Sequence, residues 1–159
     1  MPRPRHPESP AEALVGVAPL ASRWIERLLA GHQPPLTLGQ FAALRAIATE
    51  PVTAVDLARR TGVSGAAVSQ LVATLEIPGW VQRAPAEGDR RRQGLALTSA
   101  GDAVFRSANR LLRARIGDLL GDLPPREGEQ LARLLKRVEE GLGGSPPPRR
   151  PPHPPPERP

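Results

Sequence analysis

Two stretches of the sequence carry side chains that could contact a polyanion and the edges of bases. Residues 89–92 read Asp-Arg-Arg-Arg, and guanidinium groups in a row can neutralise phosphate oxygens. Residues 64–76 form a helical pattern without any basic residue. One face of it is small, uncharged and hydrogen-bonding, with Ala66, Ser69, Gln70 and Ala73. Such a face suits a helix that enters the major groove of DNA. For the arginine run, a solvated turn is the alternative.

The other reactive side chains form no catalytic or metal-binding pattern. The histidines are His6, His32 and His153, and no histidine or carboxylate cluster has the spacing of metal ligands. Neither a nucleophile with a neighbouring base nor a glycine-rich phosphate loop is readable from the sequence. Because the chain has no cysteine, disulfides, thiolate metal sites and thiol-based peroxide sensing are excluded. We therefore expect no enzyme activity, no metal and no cofactor.

Two short helices must position the uncharged face. Thr53 with Asp56 predicts a capping box at the start of the first helix, and Gly62 predicts a positive φ in the turn between them. Ser64 predicts the N-cap of the second helix. Its apolar residues recur at helical spacing as one stripe, Val68, Leu71, Val72 and Leu75. This arrangement is typical of a helix-turn-helix, and an ordinary helical hairpin in an all-α domain is the alternative.

A β hairpin is predicted directly after the helix pair. Pro78 and Gly79 end the second helix, and residues 80–83 read as a strand. Residues 84–88 are rich in turn formers, the arginine run follows, and residues 95–98 read as the returning strand. The fold class is therefore mainly α, a winged helix-turn-helix with a small β hairpin.

The motifs between residues 36 and 101 resemble the MarR (multiple-antibiotic-resistance regulator) family of bacterial transcription factors. They are Leu36-Thr37 with Gln40, Asp56-Leu57-Ala58, Leu75-Glu76 with Gly79, Asp89-Arg90-Arg91, and Leu97-Thr98 with Gly101. The resemblance implies a homodimeric transcriptional regulator of double-stranded DNA with a palindromic operator. It further implies a repressor that a small-molecule effector releases. A dimeric winged-helix protein-interaction module with weak or no DNA binding is the alternative, because Gln70 stands where many relatives carry an arginine.

Long helices are predicted on both sides of the winged unit. Ser9 and Glu12 start a helix that runs to about residue 30, and Pro19 should kink or split it. Its expected buried residues are Leu20, Trp24, Ile25 and Leu28. Further helices are expected at residues 37–48 and from the cap Thr98 to about residue 120. Residues 121–125 break the chain, and a last helix runs from there to about residue 142. The resemblance implies that the outer helices of two subunits interleave into a dimer, and a monomeric helical cap is the alternative.

The domain organisation follows from these elements. We expect a disordered arm at residues 1–8 and one MarR-like domain at residues 9–144. Within it the winged unit spans about residues 36–98 and the dimerisation helices about residues 9–30 and 99–142. The proline-rich residues 145–159 are expected to be a disordered tail, with an SH3 ligand as the alternative. No segment is apolar enough to span a membrane. We expect no signal peptide before the fold and therefore a cytoplasmic protein.

Three sets of site residues are predicted. The expected DNA contacts are Ser64, Ala66, Ala67, Ser69, Gln70, Thr74, Arg83, Arg90, Arg91 and Arg92, with Arg59 or Arg60 assisting. Glutamine can bond adenine through its N6 and N7 atoms. Asp89 is expected to fix the hairpin tip by clamping a neighbouring arginine, Arg91. The resemblance implies an anionic or phenolic effector, and Trp24, His32 and Phe41 are candidates to line its pocket. Plain core or surface positions are the alternative for these three.

Overall fold

A computed structural model describes residues 9–49, 52–61, 63–86 and 89–144, with the backbone alone for residues 61, 86, 89–92, 143 and 144. Within this part of the chain lie six helices and three strands, which confirms the predicted fold class. They are α1 (Pro10–Ala30), α2 (Leu38–Thr49), β1 (Val52–Thr53), α3 (Ala54–Thr61), α4 (Gly65–Glu76), β2 (Val81–Ala86), β3 (Asp89–Leu97), α5 (Ser99–Leu119) and α6 (Pro125–Gly144). The chain divides into two compact units, residues 1–122 and 123–159, so α6 is described by itself. The predicted arm at residues 1–8 and the predicted tail at residues 145–159 lie outside the described residues.

The predicted helix caps are present. At α1 the Ser9 hydroxyl accepts the Glu12 N–H at 3.2 Å, and the Ser9 N–H donates to the Glu12 carboxylate at 3.0 Å. The Ser9 N–H, and to a smaller extent the Ser9 side chain, stabilise the ionised carboxylate of Glu12. The pKa of Glu12 is therefore lowered below its ordinary value. Thr53 and Asp56 form the same box before α3, with distances of 3.1 and 3.2 Å. Ser64 and Thr98 cap α4 and α5. Gly62 lies outside the described residues.

Helix α1 differs from its prediction in two ways. The helix continues through Pro19 without a break, so the expected split is wrong, and a kink at this residue stays a prediction. Its fully buried residue is Leu29, whereas Leu20 is 60% exposed. Trp24, Ile25 and Leu28 are half-buried. Only the C-terminal end of α1 therefore packs into the core of this chain, and its first half presents apolar side chains to solvent.

The sheet is antiparallel and has the strand order β1-β3-β2. The hairpin is longer than predicted, because residues 84–86 belong to β2 and β3 begins at Asp89. Pro85 can occupy a strand position, opposite Gln93, because β2 is an edge strand and a missing N–H is tolerated there. The two-residue strand β1, which pairs Val52 with Leu95, was not predicted. The arginine run therefore lies on the first half of β3 and not in a turn.

One hydrophobic core joins α2, the helix pair, the sheet and α5. Its buried members are Leu29, Leu36, Phe41, Ala43, Leu44, Ile47, Val52, Leu57, Val68, Val72, Leu75, Val81, Leu95, Ala108 and Leu112. Three of them, Val68, Val72 and Leu75, come from the predicted stripe of α4, and Leu71 is partly buried beside them. Burying this stripe fixes the rotation of α4 about its axis, and the opposite face is left to solvent. No helix in the described part of the chain is long and apolar enough to cross a membrane.

Candidate nucleic-acid interface

Helix α4 presents the predicted uncharged face to solvent. Its N-cap Ser64 accepts the Ala67 N–H at 3.2 Å, which satisfies one of the free N–H groups in the first turn. The exposed residues are Ser64, Ala66, Ala67, Ser69, Gln70, Ala73 and Thr74. No lysine or arginine lies between Arg60 and Arg83 in the sequence. The face therefore offers methyl groups, hydroxyl groups and one amide, and no positive charge.

The hydroxyl groups on this face are already bonded within the protein. The Ser69 hydroxyl donates to the Gly65 carbonyl at 3.0 Å. The Thr74 hydroxyl donates to the Leu71 carbonyl at 2.7 Å and accepts the Gln40 amide at 3.2 Å. The Gln70 side chain, in contrast, has no hydrogen bond to any described residue. Gln70 thus retains both its donor and its acceptor for a partner outside the chain.

Helix α2 holds α4 through a contact that the sequence analysis missed. Gln40 closes a capping box with Thr37: the Thr37 N–H donates to the Gln40 side chain at 2.9 Å, and the Gln40 N–H donates to the Thr37 hydroxyl at 3.1 Å. The side-chain NH₂ group of Gln40 donates to the hydroxyl of Thr74, 34 residues further along the chain. A Thr-x-x-Gln pattern at residues 37–40 could have indicated the box, but not the bond to Thr74.

Arg83 bonds the β2–β3 hairpin, which forms the wing of the fold, to the C-terminal end of α4. The Arg83 Nε donates to the Glu76 carboxylate at 3.0 Å, and one of its terminal nitrogens donates to the Gln93 side-chain oxygen at 3.4 Å. These contacts join α4, β2 and β3. The pair is half exposed, with side-chain exposures of 51% for Arg83 and 32% for Glu76. Arg83 therefore has a partner on the protein, and its contact with DNA phosphate stays a prediction.

The predicted arginine contacts and their Asp89 clamp fall on side chains outside the described part of the structure. The structure gives residues 89–92 as the backbone of β3. The side chains of Asp89, Arg90, Arg91 and Arg92 lie outside the described part. On α3, Arg59 pairs with Asp56 at 3.6 Å while its side chain stays 77% exposed.

A tight joint connects the wing and α4 to α5. The Thr98 N–H donates to the Trp80 carbonyl at 3.0 Å. The Thr98 hydroxyl donates to the Gly79 carbonyl at 2.6 Å and accepts the Gly101 N–H at 3.0 Å. Gly79 has a φ of +74°, which glycine adopts without strain. A Cβ atom on Gly101 would lie 1.9 Å from the Trp80 carbonyl oxygen, so only glycine fits there.

The three candidate pocket residues take different positions. His32 is 7% exposed and Phe41 is 8% exposed, and both contact α5. The His32 Nδ1 lies 2.7 Å from the Pro34 carbonyl oxygen and its Nε2 lies 3.0 Å from the Ser107 hydroxyl. The rings of Phe41 and Phe105 are 5.8 Å apart. Trp24 is half-buried on α1. The structure thus brings His32 and Phe41 to one helix, and their role in a pocket stays a prediction.

Chemistry of other kinds has little support in the described part of the chain. Among these residues no three histidine, aspartate or glutamate side chains could hold a metal ion together. A surface pocket of about 400 Å³ is lined by Ile47, Ala48, Leu97, Thr98, Ser99 and Asp102. Its polar groups are the two hydroxyls and the Asp102 carboxylate, which is paired with Arg106. The exposed face of α4 and the adjoining wing are therefore the candidate site.

Comparison with known proteins agrees with this geometry. A sequence model described as MarR family matches residues 35–92. The transcriptional regulator HosA of Escherichia coli O127:H6 is 30% identical over 118 residues, 74% of this chain and 84% of HosA. The HTH-type transcriptional repressor Rv2887 of Mycobacterium tuberculosis is 28% identical over 104 residues, 65% of this chain and 75% of that protein.

Solved structures show the same fold. Wild-type MarR of Escherichia coli superposes with a TM-score of 0.68 at 25% identity, covering 84% of this chain and 98% of MarR. Rv2887 in complex with DNA has a TM-score of 0.68 at 24% identity, covering 82% of this chain and 97% of that one. Rv2887 has also been solved with salicylic acid. Because HosA is 30% identical over most of its length, and the helix pair and wing have the same arrangement, the chain belongs to the MarR family of transcriptional regulators.

Proposed function

We propose that this protein is a homodimeric transcriptional repressor that binds a specific double-stranded DNA operator and is released by a small-molecule effector. The observation that carries the proposal is the placement of α4. One face of this helix is buried in the core, the opposite face is exposed and uncharged, and the β2–β3 wing is attached at its C-terminal end. A helix held in this way can enter the major groove while the wing lies along the backbone.

The two parts of the interface would have different roles. The α4 residues Ser64, Ala66, Ala67, Ser69, Gln70 and Thr74 would face base edges, where sequence is read. The β3 arginines Arg90, Arg91 and Arg92 would neutralise phosphates, with Asp89 fixing one of them. Arg83 would contribute mainly by holding the wing against α4, since its guanidinium group is bonded to Glu76 and Gln93.

Dimerisation is supported by apolar side chains that this chain leaves uncovered. On α1 they are Leu14, Val15, Val17 and Leu20, at the end of α5 Leu119 and Leu120, and on α6 Leu134, Leu135, Val138 and Leu142. Exposed apolar side chains in such numbers on each of these helices favour an interface. A two-fold dimer presents two α4 helices, so the operator would be palindromic, with half-sites about one helical turn of DNA or a multiple of it apart.

An effector site is proposed beside α5. His32 and Phe41 contact α5 through Ser107 and Phe105, and Trp24 lies on α1, which also packs on α5. A ligand that displaces the His32–Ser107 bond would act on the helix that joins the winged unit to the dimer. Rv2887, a relative of the same fold, binds salicylic acid. We propose an anionic or phenolic effector of comparable size for this protein.

A mobility-shift titration against the DNA upstream of the protein's own gene tests the proposal. We expect one dimer per operator, with an affinity roughly 10³-fold or more above that for a scrambled duplex of the same length at the same salt concentration. The protein acts on the chromosome in this proposal, so its place is the cytoplasm and no catalytic activity is assigned. Equal affinity for operator and scrambled duplexes would instead support the protein-interaction module.

A further inference from the structure

The hydrogen bonds of α4 determine which groups remain for base contacts. The Ser69 hydroxyl hydrogen is directed to the Gly65 carbonyl, so Ser69 can only accept a hydrogen bond from DNA. The Thr74 hydroxyl both donates and accepts within the protein. Gln70 alone on this face keeps a complete amide, with an NH₂ donor and a carbonyl acceptor. Ser64 at the N-cap keeps its hydroxyl hydrogen, because its oxygen only accepts, and Thr74 keeps one lone pair. In the middle of the helix the available polar groups are thus one acceptor at Ser69 and one donor–acceptor pair at Gln70.

These groups match adenine better than guanine. In the major groove adenine presents an N6 donor beside an N7 acceptor, which an amide complements with two hydrogen bonds. Guanine presents two acceptors there, O6 and N7, and is contacted most often by arginine or lysine. Helix α4 has neither residue, and Arg83 at its C-terminal end is held by Glu76. An acceptor at Ser69 also needs a base amino group, as in adenine or cytosine.

The other exposed side chains on α4 distinguish thymine from cytosine. Ala66, Ala67 and Ala73 present methyl groups to solvent. Thymine carries a C5-methyl group in the major groove and cytosine does not, and alanine is one of the side chains that contact it. Removing two methyl groups from water is favourable by the hydrophobic effect. The alanines therefore add a preference for thymine on the strand that faces them.

Given the proposed function, on which this assignment rests, we infer that the half-site read by α4 is built on adenine–thymine pairs. Gln70 bonds the N6 and N7 atoms of an adenine, Ser69 accepts an amino hydrogen, and the alanine methyl groups contact thymine methyl groups. Guanine–cytosine pairs are disfavoured at these positions because α4 offers no cationic donor.

The test begins with selection of bound duplexes from a random library by the full chain at one fixed salt concentration. Each enriched adenine is then replaced by 7-deaza-2′-deoxyadenosine, which lacks the N7 acceptor, and affinity is measured by fluorescence anisotropy. Wild-type affinity should fall roughly 5- to 150-fold for the adenine that Gln70 contacts, whereas Gln70→Ala should bind both duplexes within about twofold of each other. Replacing a contacted thymine by deoxyuridine should cost about fourfold.

Two further variants complete the design. Gln82 is an exposed glutamine on β2, and Gln82→Ala should keep the full response to the adenine analogue. Gln70→Arg should change the selected base at the contacted position from adenine to guanine. A specifically bound guanine–cytosine half-site, or an N7 response that survives Gln70→Ala, would overturn the inference and leave the proposed function intact. Failure to bind any selected duplex more tightly than random DNA would overturn both.

Discussion

Replacing Gly101 by alanine would place a methyl group inside the backbone of Trp80. The added Cβ would lie 1.9 Å from the carbonyl oxygen, 2.7 Å from the carbonyl carbon and 3.0 Å from the Cα of Trp80. All three atoms belong to the backbone, so no side-chain rotation can relieve the overlap. Relief requires that the start of α5 and the residues before β2 move apart, and Thr98 bonds both of them at this point.

The expected cost follows from three contributions. Forcing extra atoms into a packed site costs about 1–3 kcal/mol. Separation of the two segments also weakens at least one of the Thr98 hydrogen bonds, each of which contributes about 0.5–1.5 kcal/mol. Alanine opposes this because its helix propensity is up to about 1 kcal/mol better than that of glycine. The net loss of unfolding free energy should be about 2 kcal/mol, which corresponds to a fall in Tm of roughly 4–8 °C.

Gly117→Ala is the matched control on the same helix, because a Cβ there meets no atom within 4 Å. It should raise the unfolding free energy by up to about 1 kcal/mol. Both variants are compared with wild type by thermal and urea unfolding, followed by circular dichroism at one protein concentration, since dimerisation makes Tm depend on concentration. If Gly101→Ala proves as stable as Gly117→Ala, the close approach of α5 to Trp80 is refuted.

Three further substitutions test the dimer, the wing and the joint between the wing and α4. Leu20→Asp should convert the dimer to a monomer at micromolar concentration in light scattering, because a charge would enter the apolar face of α1; an unchanged dimer mass would exclude this face from the interface. Arg91→Ala should flatten the log-log salt dependence of DNA affinity by up to about two units per dimer, since two phosphate contacts are lost; an unchanged slope would remove Arg91 from the phosphate contacts. Glu76→Gln should strengthen binding to random DNA, because a negative charge is lost and Arg83 is released from its partner; unchanged or weaker binding would contradict this role of Glu76.

Local features of the fold could be predicted because their causes lie within a few residues. The caps at Ser9, Thr53, Ser64 and Thr98 each depend on a hydroxyl and an N–H three residues later. The buried stripe of α4 follows from helical periodicity in the same way. These signals were sufficient for the helix-turn-helix and for the direction of its exposed face.

Features that depend on distant pairing could not be read from the pattern. Strand β1 has two residues and exists because Val52 and Thr53 pair with Leu95 and Gly94. Periodicity gave no sign of this strand. The bond from Gln40 to Thr74 and the pair of Arg83 with Glu76 likewise depend on how the elements meet. Leu20 and Leu29 lie on opposite sides of α1, about 180° apart at 3.6 residues per turn, and only Leu29 is covered by this chain. Periodicity did not indicate which side of the helix the core would cover.

The hydrogen bonds around α4 also determine how an effector could act. Gln40 holds α4 from α2, Glu76 holds the wing, and Thr98 holds the residues after α4 to the start of α5. These bonds join α4, or the residues that follow it, to elements that share its hydrophobic core. Turning α4 alone would therefore break bonds and disturb packing at once. Moving the winged unit together with the start of α5 as one body breaks none of them. Under the proposed function, an effector beside α5 would therefore change the separation of the two α4 helices in the dimer. An operator whose half-site spacing is altered to match the new separation should then lose the least affinity when the effector is added.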